Sequence, residues 1–192
     1  MHKTALRKQF LKQRQQLPPA VFKEKNRLLA HNFVHAFDLK TIQYLHIYLP
    51  ILKKNEINTW SIIEFIFQHY PHITVLISKS NFKTCQMDNY VLTPHSMIAE
   101  NKWGIPEPVD TTNPIAHQKI EMIILPLLCF DKHGYRVGYG QGFYDRFLHQ
   151  CRKSVVKIGL SLFEPIDDIV DKHNHDMKMD FCITPDSIWT FT

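Results

Sequence analysis

Apolar residues in the first forty positions follow a helical period. The segment TALRKQFLKQRQQL places Leu6, Phe10 and Leu17 near one helical face, and the two prolines that follow it end this first helix. A second amphipathic helix is predicted from roughly 20 to 37. The chain therefore begins with two helices that each have one apolar face to bury.

The pattern then changes to alternating strands and helices. TIQYLHIYLP is rich in β-branched and aromatic residues and predicts a strand that ends at Pro50. NTWSIIEFIFQHY predicts a helix capped by Asn58 or Thr59. ITVLIS predicts a second strand at 73 to 78, and QMDNYVL predicts a hairpin partner or an edge strand.

The second half contains the segment typical of a central strand. IEMIILPLL is a continuous apolar run, as in strands buried on both sheet faces. A glycine-containing loop follows, then a helix from about Gly142 to Cys151, the strand VVKIGLSL and a short strand around FCIT. This order predicts an α/β fold, a Rossmann-like three-layer α/β/α sandwich with a mostly parallel, mixed sheet.

Length, composition and charge limit the number of domains, the location and the partners that we expect for this protein. A chain of 192 residues without repeats is expected to form a single domain over 1–192. The longest apolar stretch, MIILPLLCF, is far shorter than the ~20 residues of a membrane-spanning helix, so we expect a soluble protein. Scattered cysteines and no signal peptide favour the cytoplasm. The net charge of +5 favours anionic partners: nucleic acid, a membrane surface, or a phosphorylated or polycarboxylated small molecule.

Four of the six glycines lie in or just before RVGYGQGFYDRF, at Gly134, Gly138, Gly140 and Gly142. Glycine accepts positive φ and lacks a Cβ, so this loop can close backbone N–H groups around an anion at the next helix N-terminus. A glycine-rich β-turn is the alternative. The spacing of these glycines matches neither the dinucleotide-binding fingerprint nor the Walker A pattern. The motifs that accompany the glycine-rich loop of protein kinases are also absent.

Charged residues flank this glycine loop. Arg136 can supply a positive charge to a polyphosphate, and Asp145 in the first helical turn can hold Mg²⁺. Lys3, Arg7 and Arg14 share one face of the first helix and could bind an anion together. Each of these has a structural alternative. Arg136 could simply be solvated, and Asp145 could be an acid that favours a helix N-terminus. The three cations of the first helix could form a solvated stripe.

Three further residues are candidates for ligand contacts. Asp176, in the polar tail segment HNHD, can join Asp145 around Mg²⁺, whereas no zinc-ligand spacing occurs there. Glu56 and Trp103 could line a pocket for a flat, polar ring, the carboxylate pairing with ring donors and the indole stacking. Alternatively, Glu56 could be an acid at the entry to a helix, and Trp103 could anchor its loop.

Five segments resemble the 5-formyltetrahydrofolate cyclo-ligase family over nearly the full length. They are K-x-x-x-R at Lys3 to Arg7, YLP with NEINT around Glu56, WGIPEP at 103 to 108, LPLLCFDKHGYRVGYGQGFYDRFL at 125 to 148, and HDMKMDFCIT at 175 to 184. The fourth is specific by itself, and the others gain weight from their order. The resemblance implies an ATP- and Mg²⁺-dependent closure of 5-formyltetrahydrofolate to 5,10-methenyltetrahydrofolate by a monomer, with release of ADP and phosphate.

The resemblance also implies roles for individual residues. The ATP site would comprise Lys3, Arg7, Arg136, Val137, Gly138, Tyr139, Gly140, Gln141, Gly142, Phe143 and Tyr144. The folate site would comprise Glu56, Trp103, Tyr139, Gly140, Gln141, Gly142 and Phe143. Asp145 and Asp176 would serve the metal, and the catalytic residues would be Arg136, Tyr144 and Asp145.

Two positions depart from the family pattern, and two other classes stay open. Gln141 stands where glycine or lysine is frequent, which leaves out one possible phosphate charge, and Phe143 replaces a frequent tyrosine, which removes a hydroxyl. A basic nucleic-acid-binding module would use the first helix, but it lacks a supporting motif. A sugar-phosphate isomerase or acyl-transfer enzyme would bind anions without hydrolysing ATP.

Overall fold

The central feature is one mixed seven-stranded sheet, in a computed structural model that describes residues 1–191. The strands, in chain order, are β1 Tyr44–His46, β2 Thr74–Asn81, β3 Gln86–Val91, β4 Ile98–Glu100, β5 Pro106–Pro108, β6 Met122–Leu125, β7 Cys129–Phe130, β8 Arg136–Val137, β9 Val156–Leu160, β10 Phe181–Ile183 and β11 Ile188–Thr190. The sheet order is β11-β10-β9-β6-β1-β2-β3, and β4–β5 and β7–β8 form separate two-stranded ribbons. Among the described residues of the seven-stranded sheet, only the edge strands β3 and β11 are antiparallel to their neighbours, and the two strands of each ribbon are antiparallel to each other.

Helices cover both faces of the sheet. They are α1 Lys3–Gln15, α2 Pro19–Ala36, α3 Trp60–His69 and α4 Phe143–Gln150, with short 3₁₀ turns at Leu52–Lys54 and His117–Lys119. One core cluster joins α2 and α3 to the sheet, and a second joins α4 to the opposite face. The predicted three-layer α/β/α fold with a mostly parallel sheet is therefore confirmed. Within residues 1–191, no helix has the length and apolarity needed to cross a bilayer.

Strand β6 lies at the centre of the sheet because its side chains are apolar on both faces. Met122 and Ile124 pack in the cluster with α2 and α3, whereas Ile123 and Leu125 pack in the cluster with α4. Successive side chains of a strand point to opposite faces, so a continuous apolar run can be buried on both sides. The predicted strand–loop–helix–strand unit is observed, since β6 and β9 pair directly in parallel and α4 lies in the connection between them.

The sequence pattern did not predict the smaller strands. Ribbons β4–β5 and β7–β8 and strand β11 have only two or three residues each, too few for a period of two to be recognised. Strand β1 is also shorter than predicted, although Ile47 beyond it stays in the sheet by donating its N–H to the Leu76 carbonyl. QMDNYVL forms the predicted hairpin partner, as β3 pairs with β2.

Helix α1 is held beside the glycine loop by a third apolar cluster. Its residues Leu6 and Phe10 pack there with Leu128, Cys129 and Val137 of the β7–β8 region. The glycine loop runs from β8 into α4. The cationic residues of α1 are thereby brought to the carboxyl ends of the parallel strands, which is where open α/β sheets bind ligands.

Candidate active site

A cavity of about 880 Å³ opens among α1, the glycine loop, β2 and the polar tail. Every predicted site residue except Val137 and Arg14 lines it: Lys3, Arg7, Glu56, Trp103, Arg136, Gly138, Tyr139, Gly140, Gln141, Gly142, Phe143, Tyr144, Asp145 and Asp176. Val137 is 1% exposed, and its side chain packs in the α1 cluster. The structure thus brings together residues that are up to 173 positions apart.

One wall of the cavity carries three cations. Arg7 donates from Nε to the Gly138 carbonyl at 2.9 Å. Arg136 donates to the Met177 carbonyl at 2.6 Å and to Asp145 Oδ1 at 2.8 Å. Its side chain is only 6% exposed, so Arg136 is not the solvated arginine that the turn position allowed. Lys3 Nζ lies 2.5 Å from Asp176 Oδ2.

The two carboxylates proposed for a metal lie beside the same stretch of chain. Asp145 Oδ1 also accepts the N–H of Met177, the neighbour of Asp176, at 3.1 Å. Burial opposes ionisation of Asp176, but hydrogen bonds from the His173 backbone and from Lys3 outweigh it and lower its pKa. Within residues 1–191, no group of three or more His, Cys, Asp or Glu side chains could hold a metal. Two carboxylates still fit Mg²⁺, provided that phosphate oxygens and waters complete its shell.

The glycine loop adopts a backbone that requires glycine. Gly140 has φ +94°, and Gly142 caps α4 with φ +68°. A Cβ at Gly140 would lie 2.9 Å from Cζ of Arg7, so the guanidinium packs directly on the bare backbone. The positive φ expected of glycine is therefore observed at Gly140 and Gly142, and the group close to Gly140 is the Arg7 side chain, whereas binding of an anion by the loop stays a prediction.

Glu56 is a buried carboxylate with two donors. Glu56 is only 4% exposed. Its carboxylate accepts hydrogen bonds from the Ile51 N–H at 2.7 Å and from the Tyr139 hydroxyl at 2.5 Å. Arg14 donates to the same hydroxyl at 2.6 Å. Arg14 is itself buried and does not line the large cavity. The hypothesis that Lys3, Arg7 and Arg14 form one anion site is therefore wrong for Arg14.

Phe82, Trp103 and Phe143 form an aromatic wall of the same cavity. Trp103 stacks on Phe82 with ring centroids 3.6 Å apart, and Phe82 meets Phe143 edge-on at 5.1 Å. Sequence reasoning missed Phe82, because it lies in the turn between β2 and β3, where no motif singles it out. Phe143 thereby packs against Phe82 in this wall.

The hydroxyl of Tyr144 is hydrogen-bonded to a buried histidine, His46. His46 Nδ1 lies 2.8 Å from Asn89 Oδ1, an acceptor, so Nδ1 carries the proton and Nε2 accepts from the Tyr144 hydroxyl at 3.2 Å. Burial raises the pKa of Tyr144, which keeps its hydroxyl protonated. A lone histidine in an apolar strand gave no signal that it would support a residue of the site.

We predict that His46 makes stability depend on pH. Burial lowers its pKa to about 4, against about 6.5 in an unfolded chain, so between these values the unfolded state binds more protons. Stability is therefore fully present above pH 6.5 and falls as the pH falls toward 4, by about 3 kcal/mol from this one group.

Urea unfolding of the parent and of His46→Met at several pH values between 7 and 4 measures this difference. The variant should lose less unfolding free energy on acidification than the parent loses. His72→Gln, at an exposed histidine, is the matched control and should follow the parent. Parallel curves for parent and His46→Met would contradict the prediction.

A glycine loop at a helix N-terminus, three cations and a cavity at the carboxyl edge of the sheet are the combination typical of α/β enzymes that bind anionic ligands. The profile of the 5-formyltetrahydrofolate cyclo-ligase family matches residues 1–185. The chain belongs to that family, and it is accordingly a ligase of folate metabolism.

Relatives and solved structures agree with this family. A mouse 5-formyltetrahydrofolate cyclo-ligase is 30% identical over 171 residues, covering 84% of this chain and 80% of its own. A probable 5-formyltetrahydrofolate cyclo-ligase of Schizosaccharomyces pombe is 27% identical over 71% of this chain and 72% of its own. The 5,10-methenyltetrahydrofolate synthetase structure from Mycoplasma pneumoniae superimposes with a TM-score of 0.76 at 26% identity, covering 96% of this chain and 99% of that one.

Proposed function

We propose that this enzyme uses ATP and Mg²⁺ to close 5-formyltetrahydrofolate to 5,10-methenyltetrahydrofolate, with release of ADP and phosphate. The observation that carries the proposal is the shared cavity. One space of about 880 Å³ is lined by the cations and glycine loop suited to a triphosphate and by the carboxylate and aromatic wall suited to a pterin. Family membership supplies the chemical identity of the substrate.

The nucleotide would lie along the cationic wall. Lys3, Arg7 and Arg136 would contact its phosphates, together with the backbone of the glycine loop from Gly138 to Gly142. Lys3 and Arg136 are ion-paired with Asp176 and Asp145 in this structure, so binding of a triphosphate would exchange one anionic partner for another. Val137 would contribute only to the position of the loop, because its side chain is in the core.

The reduced pterin would lie between Glu56 and the aromatic wall. Each carboxylate oxygen of Glu56 keeps a lone pair beyond the hydrogen bonds from Ile51 and Tyr139, and can accept from the donor edge of the ring. Trp103 and Phe143 would border the ring with their apolar faces. Tyr139 and the glycine loop would separate this ligand from the nucleotide.

The reaction then requires positioning more than side-chain chemistry. The formyl oxygen attacks the γ-phosphorus and ADP leaves, which converts that oxygen into part of a phosphate leaving group. The N10 lone pair attacks the formyl carbon, the carbon–oxygen bond breaks to release phosphate, and N10 loses its proton. Arg136 and Arg7, which line the cavity, would stabilise the charge on the transferred group. Tyr144 directs its proton to His46 and would shape the cavity wall.

Asp145 and Asp176 would hold the Mg²⁺ that accompanies ATP. Bound there, the ion would neutralise charge on the phosphate oxygens. Asp145 also orients Arg136 through their 2.8 Å ion pair, so this carboxylate has a structural role before any ligand binds.

The test is an absorbance assay with the full-length chain. With 5-formyltetrahydrofolate, ATP and Mg²⁺ together, the methenyl product should appear as an increase in near-ultraviolet absorbance, and omission of ATP or chelation of Mg²⁺ should remove it. ADP release should match product formation one to one. A folded protein that forms no product under these conditions would refute the proposal, and product without ATP would favour an isomerase-like or acyl-transfer reaction.

Arg7→Ala should raise the apparent ATP requirement. The change removes a charge-assisted phosphate contact, which corresponds to a roughly tenfold higher KM for ATP. Steady-state kinetics at saturating folate measure this value, with Lys8→Ala, an exposed neighbour on α1, as the matched control. An unchanged KM for ATP would dismiss the role of Arg7 and leave the reaction itself standing.

We further propose that the enzyme acts as a monomeric single domain in the cytoplasm. Apart from Val137, every residue assigned above to the nucleotide, the pterin or the metal lines the same cavity, so a single copy of the chain supplies all of these groups. Light scattering on the active protein measures its mass, and a stable dimer would contradict the monomer.

A further inference from the structure

Arg14 is a buried cation outside the large cavity. It lies two turns beyond Arg7 on α1, is 4% exposed, and follows Leu6 and Phe10 on the buried face of the helix. Burying a guanidinium is unfavourable unless its charge is compensated. No carboxylate forms a direct ion pair with Arg14 within residues 1–191, so its compensation must come through another group.

That group is the hydroxyl of Tyr139. Arg14 Nη2 lies 2.6 Å from the Tyr139 oxygen, which lies 2.5 Å from Glu56 Oε1. Arginine has only donors, so the Tyr139 oxygen must accept from Arg14 and give its single proton to Glu56. Burial raises the pKa of Tyr139, in agreement with a hydroxyl that retains this proton. The chain Arg14–Tyr139–Glu56 therefore has one fixed direction.

A small cavity marks the same place. It has about 10 Å³, close to the space that one water needs, and Arg14, Tyr48 and Glu56 are among its lining residues. The Nε atom of Arg14 is buried and has no hydrogen-bond partner among the described residues. Arg14 and Glu56 are thus connected through the Tyr139 hydroxyl, and both border the same water-sized space.

We infer that Arg14 is a positioning residue for the folate site: through the Tyr139 hydroxyl it holds the Glu56 carboxylate in the orientation that receives the pterin. The inference rests on the proposed function. The Ile51 N–H fixes Oε2 and the Tyr139 hydroxyl fixes Oε1, so the plane of the carboxylate is set from two sides. Without Arg14 the hydroxyl can turn, and one of these two constraints is lost.

The geometry also separates two functions on one helix. Lys3 and Arg7, nearer the start of α1, line the cavity wall assigned to the triphosphate. Arg14, near its end, acts toward the carboxylate assigned to the pterin. Loss of Arg14 should therefore affect folate and leave ATP nearly untouched, a division that a general loss of structure would not produce.

Steady-state kinetics of Arg14→Met, Tyr139→Phe and the double variant test this inference. Each single variant should raise the KM for 5-formyltetrahydrofolate roughly tenfold and change the KM for ATP by less than about twofold. The double variant should resemble the single variants, because both changes break the same chain. Arg14→Lys, which keeps the charge and a donor, should give an intermediate KM for folate. Lys12→Met, which removes an exposed cation from α1, is the matched control and should resemble the parent.

The outcomes separate the inference from the proposed function. A parent enzyme without folate turnover would refute the proposed function, and the inference with it. An active parent whose Tyr139→Phe variant keeps its KM for folate would overturn the inference alone, even if Arg14→Met failed to fold, because Tyr139 is 39% exposed and its ring stays in the variant. Equal rises in both KM values, or additive effects in the double variant, would also overturn it.

Discussion

Asp145→Asn is expected to lower kcat by roughly 10²–10³-fold, the range found when one strong electrostatic contact at a reacting centre is removed. The physical reason has two parts. Asn removes the negative charge that would hold Mg²⁺, and it removes the ion pair at 2.8 Å that orients the nearly buried Arg136. The change keeps the size of the side chain and an oxygen that can still accept the Met177 N–H.

The absorbance assay across a range of Mg²⁺ concentrations measures this effect. Asp167→Asn is the matched control, since it removes the same charge from an exposed surface pair with Lys132 and should leave kcat unchanged. Thermal unfolding of both variants distinguishes lost catalysis from lost fold. A kcat within about threefold of the parent would contradict a direct role for Asp145 at the metal or at the transferred group.

Gly140→Ala is expected to damage catalysis almost as strongly. Its φ of +94° is a conformation that L side chains rarely adopt, and the new Cβ would lie 2.9 Å from Cζ of Arg7. Strain of this kind costs about 1–3 kcal/mol, and the guanidinium must move. A shift of about 1 Å in a positioning group can lower the rate roughly hundredfold, so we expect a large fall in kcat/KM for ATP.

Gly138→Ala is the comparison for folding stability. Nothing lies within 4 Å of a Cβ at Gly138 and its φ is outside the left-handed region, so its unfolding free energy should match that of the parent. Gly140→Ala should be less stable than Gly138→Ala in urea unfolding and weaker toward ATP. Equal stability and equal kinetics of the two variants would show that the loop does not depend on the bare backbone at Gly140.

The sequence predicted the general class of fold because that information is local. A mostly apolar run such as IEMIILPLL is typical of a strand buried on both sheet faces, and the glycine-containing loop and helix that follow it favour a strand–loop–helix–strand unit. The amphipathic helices α1 to α3 and the hairpin of β2 and β3 follow from periods of 3.6 and 2. The ribbons of two- and three-residue strands are too short to show either period.

The sequence also predicted part of the candidate site, and only the structure showed the rest. Spacing drew attention to the glycine loop, and residue type drew attention to Glu56, Trp103 and Asp176, all of which line the cavity. Spacing also grouped Arg14 with Lys3 and Arg7, but the tertiary structure buries it away from that wall. A helical face shows which residues point the same way, and only the packing of that face shows which of them meet solvent.

The amino-acid sequence by itself indicated the main helices and the longer strands, the loop whose backbone needs glycine, and the charges that accompany that loop. The tertiary structure alone decided which of these groups meet. Tyr139 lies 83 positions from Glu56 and 125 from Arg14, and His46 lies 98 positions from Tyr144. Side-chain periodicity records neighbours three or four residues apart, whereas hydrogen bonds between such distant residues exist only after the sheet has assembled and excluded water from them.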